Sequence, residues 1–279
     1  MAYLLVALFG LVFGSFLNVC IARLPQGASV VRPRSHCPLC GHMIRWYDNL
    51  PVLSYIFLRG RCRDCGEQIS LIYPLVEIIT AALLLAAYLV DGWGAEFIRN
   101  ALLIMILIVL VFTDLIERRL PHPVTIFGVV IGLAFSWVVP VDNRPLGTLL
   151  RHLGMTLSPA LASVIGAVGG AVVGGGLFYA VGEAFYNFGG RRKQYLGFGD
   201  VMLMLMVGTF LGVPLTLLTV LLGSVLGTFV ALPFVFLDPG RFRRFQWPYG
   251  SFLGAAAVYV CLWGDRLLEA YLRWSGLTR

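Results

Sequence analysis

An all-helical, polytopic membrane protein of about eight helices, with a small metal-binding loop domain between helices 1 and 2, is the fold class this sequence predicts. Three observations predict it. Of 279 residues, 59% are hydrophobic and only 13% charged, against about 25% charged in an average soluble domain, and a soluble chain has no interior large enough for that much apolar surface. The apolar residues gather into eight stretches. The basic residues alternate from one connection to the next, as they do when one side of a bilayer is favoured.

The first stretch, Ala2–Ala22, opens "MAYLLVALFG", with no basic residue ahead of it and no small-residue cleavage site, and reads as a retained helix. The others are Leu71–Val90, Ala101–Thr113, Val124–Pro140, Leu161–Val181, Val201–Val213, Leu215–Leu237 and Phe252–Trp263. A span needs about 20 residues, so the third, sixth and eighth must borrow flanking residues. The division at Pro214 is the weakest of the boundaries. Within the fifth stretch, "GAVGGAVVGGG" sets Gly166, Gly170 and Gly174 four apart. That spacing lets two membrane helices approach closely; a phosphate cradle would need a following Lys-Ser/Thr and a preceding strand.

Orientation follows from charge. Arg23, Arg32, Arg34, Arg45, Arg59, Arg61 and Arg63 fall in the first connection. Arg118 and Arg119, then Arg191, Arg192 and Lys193, then Arg241, Arg243 and Arg244 occupy alternate ones. Only Arg99, Arg144, Arg151, Arg266, Arg273 and Arg279 lie opposite. Eight spans then place both termini outward and the basic connections in the cytoplasm. The net charge of +7 is anchoring charge toward the lipid bilayer, and no nucleic-acid partner is expected. Three segments result: 1–22, the first helix; 23–72, a cytoplasmic loop; and 73–279, a seven-helix bundle.

The loop carries "CPLC" and "CRDC". Cys37, Cys40, Cys62 and Cys65 form two C-x2-C hooks twenty-one residues apart, slightly beyond the usual spacer of about 15–20. A pair of disulfides is the competing reading, disfavoured in a reducing cytoplasm. Four thiolates around Zn²⁺ leave no open coordination position, so such a zinc is structural. It would fasten a loop too short to bury an adequate core of its own. Cys20 and Cys261 read as small buried apolar residues, and His36 and His42 as surface polar ones that could replace a thiolate.

Ionisable groups within membrane helices are costly and are functional candidates by default. Asp114 follows "ILIVLVFT" and Asp200 precedes "VMLMLMVG". On the topology above, one closes an inward-running helix and the other opens an outward-running one, so both sit near the cytoplasmic surface. Two carboxylates across one water cannot both stay ionised: one activates the water, and the other, protonated, donates to the developing oxyanion. Each aspartate equally reads as a helix cap or the partner of Arg118 or Arg119. The glycines beside Asp200 let an extended peptide come close. Glu77 and Glu183 are read as helix–helix hydrogen-bonding or interfacial groups.

At this point the chain resembles the type IV prepilin peptidases, bifunctional leader peptidase/N-methyltransferases of the GxGD aspartic protease class. The residues are "GSFLNVCIARLP" (14–25), the cysteine loop (32–70), "YPLVE" (73–77), "TDLIERRLPHPVT" (113–125), "GFGD" (197–200) and "WPYGSFLGAA" (247–256). The resemblance implies a multi-pass enzyme of the bacterial inner membrane, serving type IV pili or type II secretion. It cuts the short basic leader of prepilins and pseudopilins after a glycine and before a usually aromatic or Met residue. It implies that Asp114 and Asp200 are the catalytic pair. It further implies N-methylation of the new N-terminus with S-adenosylmethionine, work linked to the cysteine loop; no glycine-rich fingerprint marks residues for that cofactor. The chain departs from the family pattern at Met202, where lysine is common, at Ile116, where many members are acidic, and at Ser251, where proline is usual. A peptidase whose zinc loop serves only folding or docking stands as the alternative. A non-enzymatic channel or transporter would want charge at mid-helix and repeat symmetry, which the sequence lacks.

Overall fold

A computed structural model describes residues 1–142, 147, 157–188, 197–237 and 247–276. Arg144, Arg151, Arg279 and the basic clusters Arg191, Arg192, Lys193 and Arg241, Arg243, Arg244 lie outside the described residues. The described residues contain helices and turns, with two isolated β-bridges and no strand. They divide into two compact units, Met1–Phe97 and Ile98–Arg279.

In the first unit, α1 (Ala2–Arg23) and α3 (Ile72–Asp91) pack directly on each other as an antiparallel pair, with a short α2 (Leu53–Phe57) in their connection. The contact is backbone to backbone. A Cβ placed on Gly10 would stand 2.5 Å from Ala81 Cα, and one on Gly14 would stand 2.6 Å from Glu77 Cα. Small residues four apart permit that approach. Asn18, buried in α1, donates from Nδ2 to the Tyr73 carbonyl at 3.0 Å. On the far side of α1, Leu4, Leu8, Phe9, Val12 and Phe16 stay exposed, an apolar stripe that only hydrocarbon would cover.

The second unit begins within α4 (Ala95–Glu117), which crosses the division, and continues through α5 (His122–Phe135), α6 (Pro159–Phe188), α7 (Phe198–Leu237) and α8 (Tyr249–Trp274). Leu103, Ile104, Leu107 and Leu110 are fully buried. Their three- and four-residue spacing makes one face of α4 the centre of this unit. The third, sixth and eighth apolar stretches do lengthen by borrowing flanks, to Ala95–Glu117, to a start at Phe198, and to Tyr249–Trp274.

Six helices among the described residues are long and apolar enough to cross a bilayer, and α5 is a shorter apolar helix. α7 is two passes rather than one. Its 40 residues would reach about 60 Å as a straight rod, twice the hydrocarbon thickness of about 30 Å. Gly212 breaks it with φ 71°, and the chain doubles back. A Cβ on Gly174 of α6 would touch both the Met204 carbonyl and Thr216, residues that would stand about 18 Å apart along an unbroken helix. Pro214 falls in the first turn of the returning half, where its missing N–H costs nothing. The expected boundary at Pro214 thus lies two residues earlier. The glycine stripe of α6 serves packing, as read from the sequence: Gly170 lies on Gly208 and Gly212, and Gly174 on Met204. With α7 counted as two passes, seven of the eight expected spans are long enough to cross among the described residues, and the shorter α5 stands in the place of the other.

α5 is the departure. Its 14 residues cover about 21 Å, short of a full crossing, and the expected Val124–Pro140 stretch ends in turns after Phe135. Gly128 and Gly132 of α5 lie on Met206 and on Thr209 with Phe210, so α5 runs parallel to the first half of α7. Gly223 and Gly227 of the returning half meet Leu253 and Phe252 of α8, and Gly254 of α8 meets Val111 of α4. These contacts gather the end of α4 and the starts of α5, α7 and α8 at one end of the unit.

Candidate active site

Asp114 stands one turn before the end of α4, and Asp200 in the first turn of α7. Between them comes the start of α8. A Cβ built on Gly250 would lie 3.0 Å from Asp200 Oδ1 and 3.2 Å from Asp114 Oδ2. The two oxygens are therefore separated by no more than those distances together, a gap that one or two waters bridge. Any side chain at Gly250 would sit in that gap. The two aspartates picked from opposite ends of two apolar runs do converge.

Their surroundings differ. Asp114 is buried, 7% exposed, and its Oδ2 accepts from the Ser251 amide at 2.7 Å and from Ser251 Oγ at 2.8 Å. Ser251 Oγ also stands 3.1 Å from the Val111 carbonyl, which holds the hydroxyl against α4. Asp200 is half-buried, and its own amide donates to the Gly197 carbonyl at 3.0 Å, closing a turn at the helix start. Leu120 packs against Gly199 and Gly250, an apolar wall beside both carboxylates. The His122 and Phe198 rings meet edge to face at 5.6 Å and hold the start of α5 against that of α7. Gly250 and Ser251 escaped sequence reasoning as site residues. Ser251 registered only as a missing proline, and its weight comes from an amide that proline lacks.

The first unit holds the four cysteines. The Sγ atoms of Cys37, Cys40, Cys62 and Cys65 all lie within 4.8 Å of one another, with Cys37 and Cys65 at 3.9 Å. Zinc–thiolate bonds of about 2.3 Å in a tetrahedron set sulfurs just under 4 Å apart, so the arrangement fits a metal and not a disulfide. The hooks repeat one another. Gly41 and Gly66 turn with φ near 73° and 72°; Cys37 and Cys62 donate to the carbonyls of His42 and Glu67 at 2.9 and 2.8 Å. The amides of Cys40 and Leu39 point at Cys37 and lower its thiol to about 7. His36 and His42 flank the first hook outside the four-sulfur cluster. Asp48, on the turn after the first hook, accepts a two-pronged ion pair from Arg63 at 2.6 and 2.8 Å. The Arg63 hydrogen bonds hold that carboxyl below its ordinary range, and Arg63 also lies over the Tyr47 ring. Four sulfurs close the cluster, so the residues that could hold a metal offer no position to a substrate.

Residues 8–90 match the bacterial peptidase A24 N-terminal domain, and residues 101–232 match the type IV leader peptidase family. Among curated proteins, the chain is 35% identical over 294 residues to the prepilin leader peptidase/N-methyltransferase of Aeromonas hydrophila, covering 96% of this chain and 93% of that protein. The chain belongs to the type IV leader peptidase family. It is also 31% identical to the Pseudomonas aeruginosa protein of the same name over 295 residues, 96% of this chain and 93% of that one. A Myxococcus xanthus protein of that name is 37% identical over 232 residues, 83% of this chain but 62% of the longer relative. No solved structure matches. As in its family description, this multi-pass membrane protein has two parts: the cysteine cluster falls in the first matched segment and both aspartates in the second. Gly250 and Ser251 lie beyond residue 232.

Proposed function

We propose that this leader peptidase family member is a prepilin leader peptidase and N-methyltransferase. In this reading Asp114 and Asp200 are the catalytic pair, and the observation that carries it is Gly250 between the two carboxylates. An extended peptide laid across the bare Gly250 backbone would present its carbonyl to both. Asp114, with two donors on Oδ2, is the ionised partner that takes a proton from water. The resulting hydroxide attacks the carbonyl carbon. Asp200 gives its proton to the carbonyl oxygen; the Asp114 proton then passes to the leaving amine as the C–N bond breaks, and one hydroxyl of the tetrahedral intermediate returns its proton to Asp200. Atoms and charge balance without a metal or a covalent enzyme intermediate.

The substrates are prepilins and pseudopilins with a short basic leader, cut after glycine before an aromatic or Met residue. The leader stays on the cytoplasmic side by the charge rule that orients this chain. The enzyme sits in the bacterial inner membrane with its termini outward and the cysteine loop in the cytoplasm. Cys37, Cys40, Cys62 and Cys65 hold one structural Zn²⁺, which closes the 23–72 segment. That segment belongs to the methyl-transfer half, whose methyl donor is S-adenosylmethionine.

The deciding experiment is cleavage of a prepilin in detergent by wild type, Asp114→Asn and Asp200→Asn, read by mass spectrometry with the methyl donor present. Both variants lose cleavage by a factor of about 10³ or more, keep one zinc per chain and still methylate a pre-cleaved pilin. A variant that cuts at the wild-type rate refutes the carboxylate pair.

A further inference from the structure

The first unit encloses a cavity of about 680 Å³ lined by α1, the cysteine loop and the start of α3, well inside the range of about 300–1,000 Å³ typical of cofactor sites. Its floor is Glu77. This carboxylate is 7% exposed, lies one turn into an apolar helix, and pairs with no cation among the described residues. Its Oε2 accepts the Val52 amide at 2.7 Å, and Ser15 of α1 lines the same cavity. Val52 is held at φ 60°, a conformation that is strained for a β-branched residue and collects at functional sites. The peptidase chemistry uses none of these groups.

We propose that this cavity is the methyl-transfer site and that Glu77 receives the amine of the newly cut pilin. The inference rests on reading the first unit as the methyl-transfer half. The new N-terminus arrives as an ammonium, a cation suited to a buried carboxylate with no other cationic partner. Glu77 takes one proton from it. The freed nitrogen lone pair forms a bond to the donor methyl carbon as the methyl–sulfur bond breaks, its electron pair leaving with sulfur. The product is a methylated ammonium, and the proton on Glu77 passes to solvent. The Val52 amide holds the carboxylate still at the cavity lining. Asn18 and Tyr73, bonded to each other across α1 and α3, line the same wall.

The test uses the full-length enzyme in detergent, with S-adenosylhomocysteine as binding probe and a pre-cleaved pilin as methyl acceptor. Ala22→Trp places an indole at the cavity from an exposed site on α1. It is expected to weaken probe binding by calorimetry at least about thirtyfold, with cleavage within twofold of wild type. Glu77→Gln keeps the Val52 hydrogen bond, since an amide oxygen accepts as a carboxylate does. It is expected to bind the probe within about threefold and to methylate at least a hundredfold more slowly. Unchanged probe binding in Ala22→Trp, or methylation within threefold in Glu77→Gln, overturns the assignment and leaves Glu77 a support for Val52. Ultraviolet cross-linking of radiolabelled donor to wild type gives a reading independent of either variant: label on the peptide containing Tyr73 supports the site, and label only outside residues 15–77 overturns it. Wild type that cuts but neither binds the probe nor methylates removes the methyl-transfer reading itself. Wild type that methylates alongside unaffected variants removes only its placement here.

Discussion

Asp114 takes its environment from a residue 137 positions further along the chain, because Ser251 sends both its amide and its hydroxyl to one carboxylate oxygen. Hydrogen bonds to a charged group contribute about 1.5–3 kcal/mol each, enough to fix how the Asp114 carboxyl is turned toward Asp200. Ser251→Ala keeps the amide bond and removes the hydroxyl. It is expected to lower kcat for leader cleavage about tenfold with KM within twofold, and Ser251→Thr is expected to restore most of the loss. Steady-state cleavage of a fluorogenic leader peptide reads both. An equal fall in both kcat and zinc content, or no recovery with Thr, would make Ser251 a packing residue. Asp114 and Asp200 were legible because a carboxylate in an apolar run stands out on cost alone. Ser251 was not, since a serine at a helix start is ordinary until its partner is known.

Element boundaries followed local composition where it was sharp. The apolar runs named the helices, and three of them lengthened into polar flanks, where helix–helix packing extends a helix past its apolar segment. The turn at Gly212 was placed two residues late. Pro214 drew the boundary by its missing N–H, but the positive φ falls on Gly212, and only its approach to the Asp142 carbonyl and to Gly170 makes a side chain there untenable. Gly212→Ala is expected to destabilise the second unit by at least about 1–2 kcal/mol, the cost of left-handed backbone in an L-residue, before any clash. Thermal unfolding in detergent, followed by helical circular dichroism, checks this: a drop of several degrees is expected, and an unchanged midpoint would mean that the turn relaxes at no cost. Cleavage should fall with it, since Asp200 and the returning half of α7 share that helix pair. The cysteine loop brings its four sulfurs together as its spacing predicts. Its two hooks and their glycines are local motifs, and thiolate geometry is set within six residues of each cysteine.

For the molecule as a whole, topology is a claim of charge and can be tested by charge-independent chemistry. Gly94→Cys, in the connection between α3 and α4, should react with a membrane-impermeant maleimide in intact spheroplasts, and Arg34→Cys only after lysis. The reverse pattern would invert the orientation and move the aspartate pair to the outer face, where no uncut leader waits. The sequence by itself determined the apolar helices, the alternation of charge, the four cysteines that cluster and the two carboxylates that converge. Each of these depends on residues near one another in the chain: hydropathy over a span, spacing within a hook, the cost of one carboxylate in hydrocarbon. Only the tertiary structure decided that α8 places Gly250 between two aspartates from α4 and α7 and bonds Ser251 to one of them, and that Glu77 meets Val52 at the lining of a cavity. Those meetings come from helices packing glycine against backbone, a long-range fit that no local pattern of residues encodes.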